Sequence, residues 1–173
     1  MRTPAVYFLI AVLLAGSAAS AEIVDRVLAV VAGQLIMLSD VTAVRDLGII
    51  APAPGGDPVG SVLSRLIDRE LMLAEVDRYA PPEPESADIE REVAAVRARF
   101  SSQKAFDDTL ARSGIDVTHV REIERQNLRL RAYLEQRFNA PENDPSRRQT
   151  LIDDWVVSLR RRTTRAHAER DHP

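Results

Sequence analysis

Residues 24–40 read VDRVLAVVAGQLIMLSD. Val27, Ala29 and Val31 alternate with Leu28 and Val30, so the first run is apolar on both faces. Ala32-Gly33 interrupts it, and Gln34 to Leu38 resume it. Two β-prone runs around a short glycine-containing break predict a hairpin. Ser39-Asp40 then places side-chain oxygens where a following helix needs a cap. An apolar hairpin running directly into a helix is an uncommon way for a chain to begin.

Upstream of the hairpin the pattern is that of an export signal. Arg2 supplies a positive start, Val6 to Leu14 an apolar core, and Ala19-Ser20-Ala21 a small-residue cleavage site. Cleavage between Ala21 and Glu22 is the expectation, which places the product in the periplasm. The apolar core is too short to span a bilayer comfortably, so no stable membrane insertion is expected after cleavage. The full chain carries 23 Lys and Arg against 26 Asp and Glu, a net charge of −3. Arg2 is the only charge in the signal, so the exported chain is one unit more acidic. A mildly acidic chain of mixed sign does not fit nucleic-acid binding. Lys104 is the sole lysine among the basic residues. There are no cysteines, which removes disulfides, thiol nucleophiles and cysteine-held zinc from consideration.

Downstream of the hairpin the periodicity is helical. A short helix is expected over about Ser39–Leu47, then a loop, Ala51 to Pro58 (APAPGGDP), rich in helix breakers. A long helix over about Val59–Tyr79 carries Val59, Leu63, Leu66, Leu73 and Val76 on a wide stripe. Pro81-Pro82-Glu83-Pro84 ends it. Ser86 is the expected cap of the next helix, where Ile89, Val93, Val96 and Phe100 recur on one face. Ser102 begins a further short helix that Gly114 stops. Asp116 or Thr118 caps a long helix to Phe138 with Val120, Ile123, Leu130 and Leu134 inward. Asn127 falls on that inward face, which implies a polar gap in the core or a helix rotated off ideal. The last helix is expected over residues 146–162, with Ile152, Trp155, Val156 and Leu159 as its stripe.

The hairpin and its helix resemble the opening of the SurA-type periplasmic chaperones. Val24, Asp25, Val27, Val31, Gly33, Ile36, Ser39 and Asp40 carry that likeness. LIDRELML (66–73), FDDTLARSG (106–114) and LRAYLEQRF (130–138) are similar to later segments of the same family, in the same order. One departure is Asn127, where the family usually has Leu. Parvulin-type prolyl isomerase domains are inserted in that family at the position of NAPENDPS (139–146) here. Eight residues cannot hold a domain, which needs about 50 or more. The resemblance then resumes at DDWVVSLRRRT (153–163), similar to the family's C-terminal helix. The family's closing strand is apolar, whereas Thr163 to His167 (TTRAH) is polar, which leaves pairing of the C-terminus with the hairpin open.

The expected architecture is mainly α: an N-terminal β-hairpin followed by about six helices around one core, as in the SurA N-terminal chaperone module. Residues 1–21 form the signal, 22–166 one domain, and 167–173 a disordered tail. The catalytic inventory is thin. His119, His167 and His172 lack any ligand spacing such as H-E-x-x-H. Asp107-Asp108 and Asp153-Asp154 point about 100° apart on a helix and cannot converge on one atom. No glycine-rich phosphate loop occurs, so no cofactor is expected and the chain is read as non-enzymatic. Arg160-Arg161-Arg162 fits a helix end that favours cations, or attraction to acidic lipid or partner surfaces. Amphipathic helices around a hairpin can leave a groove for an extended peptide. The resemblance implies an ATP-independent holdase for unfolded envelope or outer-membrane proteins. Phe100, Phe106, Leu130, Tyr133 and Leu134 are the candidate groove residues. The alternative is a non-catalytic envelope adaptor for one dedicated partner.

Overall fold

The computed structural model describes residues 25–138 and 145–168. Residues 1–24, which include the expected signal (1–21), residues 139–144 and residues 169–173 lie outside the described residues. Strands β1 (Val27–Val31) and β2 (Gln34–Met37) pair antiparallel. Six helices follow among the described residues: α1 (Leu38–Asp46), α2 (Pro58–Tyr79), α3 (Ser86–Arg97), α4 (Gln103–Ser113), α5 (Val117–Arg137) and α6 (Pro145–Ala168). The fold is mainly helical with an N-terminal hairpin, as the sequence predicts.

The hairpin turns on Ala32 and Gly33, both with positive φ, at 50° and 86°. Two successive left-handed residues form the tight turn whose twist matches that of the flanking strands. Val30 faces Leu35 across the ladder, and the register shifts between Val27 and Ala29. Val31 and Ile36 turn inward onto the helices.

Local chemistry sets the helix ends. Asp40 reaches back to accept from the Met37 N–H at 2.8 Å. Ser39 does not cap α1; its hydroxyl donates to the Asp25 carboxylate and its N–H does so at 3.1 Å. Asp57 accepts from the N–H groups of Val59 and Gly60, with Pro58 as the first helical residue of α2. Ser86 also differs from expectation: it is the first residue of α3, preceded by Glu85, and no side chain caps that helix. Ser102 caps α4, Gly114 stops it at φ 69°, and Asp116 rather than Thr118 caps α5 through the His119 N–H. Helix α6 begins at Pro145 and runs through Ala168, not 146–162. The segment after Arg162 therefore continues as helix, and residues 167 and 168 belong to it instead of a tail. Polar TTRAH carries no apolar period, so its continuation was not readable.

Two apolar clusters share the interior. The first joins Val31 and Ile36 of the hairpin to Val41, Leu66, Val76, Ile123, Tyr133, Trp155 and Leu159. The second joins Leu47 to Ile89, Val93, Val96, Phe106, Leu110 and Val120. Helix α2 packs on both strands, α1, α5 and α6; α5 also packs on α3 and supplies residues to both clusters. Each fully buried side chain contributes about 1.5–3 kcal/mol by leaving water.

Candidate functional site

The hairpin is a single two-stranded layer, so only one of its faces can meet the helices. Its other face exposes Val27, Val30 and Leu35, with Val30 and Leu35 each 59% exposed. Neither strand contains a charged residue or a proline. Charges and prolines are what keep most strand edges from pairing with another chain. Among the described residues each strand pairs only with the other, which leaves the outer backbone edge of β1 and of β2 unmatched.

The β1 side of the hairpin borders a groove of about 630 Å³. Val30, Ala32 and Gly33 form one wall, and Leu71 and Ala74 of α2 with Leu159 of α6 form the apolar floor. Glu75, Arg78, Arg162 and Thr163 complete the rim. A helical wall beside an open strand edge offers an extended peptide both side-chain burial and main-chain partners. A second depression of about 680 Å³ lies between α2 and α6, lined by Arg65, Asp68, Met72, Ile152, Val156 and Arg160 among others. It has no strand edge and offers only side-chain contact.

The five residues singled out from sequence divide between the two clusters. Phe106 is 1% exposed and meets Phe100 edge-on, with ring centroids 5.4 Å apart. Both belong to the second cluster. Tyr133 is 5% exposed and lies in the first cluster, with Leu130 and Leu134 packed against it. None of the five lines the groove beside β1. Sequence reading did not single out Val30, Leu35, Leu71 and Leu159 as binding residues. The available signal was the strand run that is apolar on both faces, because a lone hairpin can bury only one.

At the far end of α5, Tyr133, Phe138 and Trp155 gather around one cation. The Arg137 guanidinium lies 5.8, 5.5 and 5.3 Å from their ring centroids. It also donates to the Tyr133 hydroxyl at 3.1 Å. This cluster seats α6 on α5.

An interior polar network links α2 to α5. Arg69 donates to Asn127 Oδ1 at 3.1 Å, Gln126 Oε1 at 2.9 Å and Glu70 at 2.8 Å. Asn127 in turn donates to Glu124 at 3.1 Å. The polar gap implied by Asn127 is thus real and is filled by Arg69 from α2. Burial lowers the Arg69 pKa and raises that of Glu70, against their mutual attraction.

The remaining polar motifs serve the surface. Asp107 accepts from Gln103, Asp108 pairs with Lys104, and Asp153 accepts from Gln149. Arg160 pairs with Asp68 and donates to Ser64, tying α6 to α2. Among the described residues no three His, Cys, Asp or Glu side chains gather as a metal site, and no helix is long and apolar enough to cross a membrane. No family model, curated protein or solved structure matches the chain.

Proposed function

We propose that the chain is a SurA-type periplasmic chaperone module without isomerase domains, an ATP-independent holdase for extended segments of unfolded envelope proteins. The observation that carries the reading is the charge-free apolar face of the hairpin, open at its β1 edge beside the groove floored by Leu71 and Leu159. A client strand adds to that edge, gains main-chain hydrogen bonds and sets alternate side chains on the floor. Burying two or three such side chains at about 1.5–3 kcal/mol each, less ordering costs, gives affinities on the order of micromolar. Apolar burial is unscreened, so binding of neutral segments changes little with salt. Export behind a signal cleaved before Glu22 belongs to the same reading, and N-terminal sequencing of the secreted chain checks it.

The test is suppression of outer-membrane porin aggregation by the exported chain. Val30→Asp and Leu35→Asp put charges at exposed positions and should leave the fold intact while abolishing suppression. Failure of the wild type to delay aggregation at several-fold excess ends the holdase reading. Capture of one dedicated envelope protein by that inactive wild type would establish the adaptor in its place.

A further inference from the structure

The groove beside β1 is apolar along its floor and cationic at one end. Arg78 in the last turn of α2 and Arg162 of α6 both approach Glu75, at 3.3 and 3.9 Å. Both distances exceed those of a strong charge-assisted bond. The Arg78 side chain is 74% exposed and that of Arg162 59%, whereas Glu75 is 15% exposed. Two guanidiniums present five N–H donors each, more than one carboxylate can occupy. Among the described residues Glu75 is the only acidic side chain lining the groove, against Arg78 and Arg162, so the described lining carries one net positive charge. The same groove is lined by Ala32 and Gly33 of the hairpin turn.

We infer that the groove selects extended segments that carry one Asp or Glu carboxylate at the end of an alternating apolar run. The inference rests on the strand-addition reading above and adds the chemistry of the client. A strand lying along β1 sets its apolar side chains over Leu71 and Leu159. One end of that strand then meets the Arg78 and Arg162 guanidiniums beside Glu75. A single carboxylate matches the single excess charge. An acidic run does not, because its further charges find Glu75 and, among the described residues, no additional cation lining the groove.

The experiment uses fluorescently labelled peptides of one alternating Val/Phe sequence, ending in Asp, Asn or Lys with the terminus amidated. Binding to the exported chain is followed by anisotropy. The Asp peptide should bind roughly 3–10-fold tighter than the Asn peptide, the scale of an exposed charge-assisted hydrogen bond. The Lys peptide should bind weakest, and raising salt should narrow the gap between Asp and Asn. In the Arg78→Gln/Arg162→Gln double variant the Asp and Asn peptides should bind equally, at the wild-type affinity for Asn. Arg78→Gln alone serves if the double variant melts lower than wild type, since Arg78 is the more exposed. Equal binding of Asp and Asn peptides to wild type, or a preference that survives loss of the arginines, overturns the inference and leaves strand addition standing. Binding of no peptide at all overturns both.

Discussion

Ala32 holds a φ of 50° at the first position of the hairpin turn. A left-handed conformation costs a residue with a Cβ roughly 1–2 kcal/mol, and glycine escapes most of that. Ala32→Gly should therefore stabilise the protein by about 0.5–1 kcal/mol, net of the added freedom of the unfolded chain. Urea unfolding measures it, and an unchanged or lower midpoint would show the turn to be unstrained. Asp25 sets the other end of the hairpin. The Ser39 hydroxyl first, then the N–H groups of Ser39, Arg26 and Leu38, hold its carboxyl below the ordinary value of 3.8. A depressed pKa contributes stability above the unfolded value that is lost as pH falls through the folded one. Asp25→Asn should thus flatten the loss of stability below about pH 4, the unfolded Asp range, and do nothing to its slope at pH 6–8. Acid titrations of the two proteins that run parallel below pH 4 would count against this account.

At the scale of elements, α2 and α5 meet through Arg69 and Asn127 rather than through apolar side chains alone. Asn127→Leu makes the α5 stripe more regular and by pattern should stabilise it. The opposite is expected, because it strips the largely buried Arg69 of an acceptor and Glu124 of a donor. A loss of about 1–3 kcal/mol follows from leaving such groups unmatched. A higher melting temperature would mean that water satisfies them as well as Asn127 does. Helix α6 gives the second test at this scale. Trp155 is 8% exposed, in the first cluster, beside Tyr133 and Phe138. Trp155→Ala should cost about 3–5 kcal/mol. A variant that melts within a degree of wild type would make α6 an appendage.

These elements also show what was legible in the sequence. The start at Ser102 and the stop at Gly114 depend on neighbours one to four residues away, so the sequence states them, while for α5 it offers both Asp116 and Thr118 and the structure uses Asp116. The stripe of α6 marked Trp155 as buried because periodicity is local too. Ser86 failed as a cap because several residues near a helix start compete for that position, and spacing does not rank them. The meeting of Arg69 with Asn127 spans 58 residues. Nothing local encodes it, and only the polar residue on an apolar face hinted that a partner existed. For the candidate site, the two-faced strand run held the relevant signal. Which apolar residues stay open depends on how many layers cover the hairpin, a property of the assembled fold.

For the whole molecule, only the seven residues 138–144 separate α5 from α6, and the proposed SurA-type module is one from which that family's isomerase domains are absent at this position. The expectation is a chaperone module that does not catalyse prolyl isomerisation. Uncatalysed exchange takes tens to hundreds of seconds, so acceleration of a proline-peptide assay by the pure protein would be obvious and would refute the reading.

Helix α5 threads both apolar clusters, and each side carries a natural optical label. Trp155, the sole tryptophan, belongs to the first; Lys104, the sole lysine, projects from α4, which packs into the second. Its side chain is 82% exposed and so accessible to an amine-reactive dye once the N-terminal α-amine, which reacts too, has been blocked. Resonance energy transfer from indole to that dye gauges the separation of the two halves in a protein with no engineered residue. A client lodged only along β1 should leave the transfer efficiency unchanged, whereas one that wedges between the clusters should lower it.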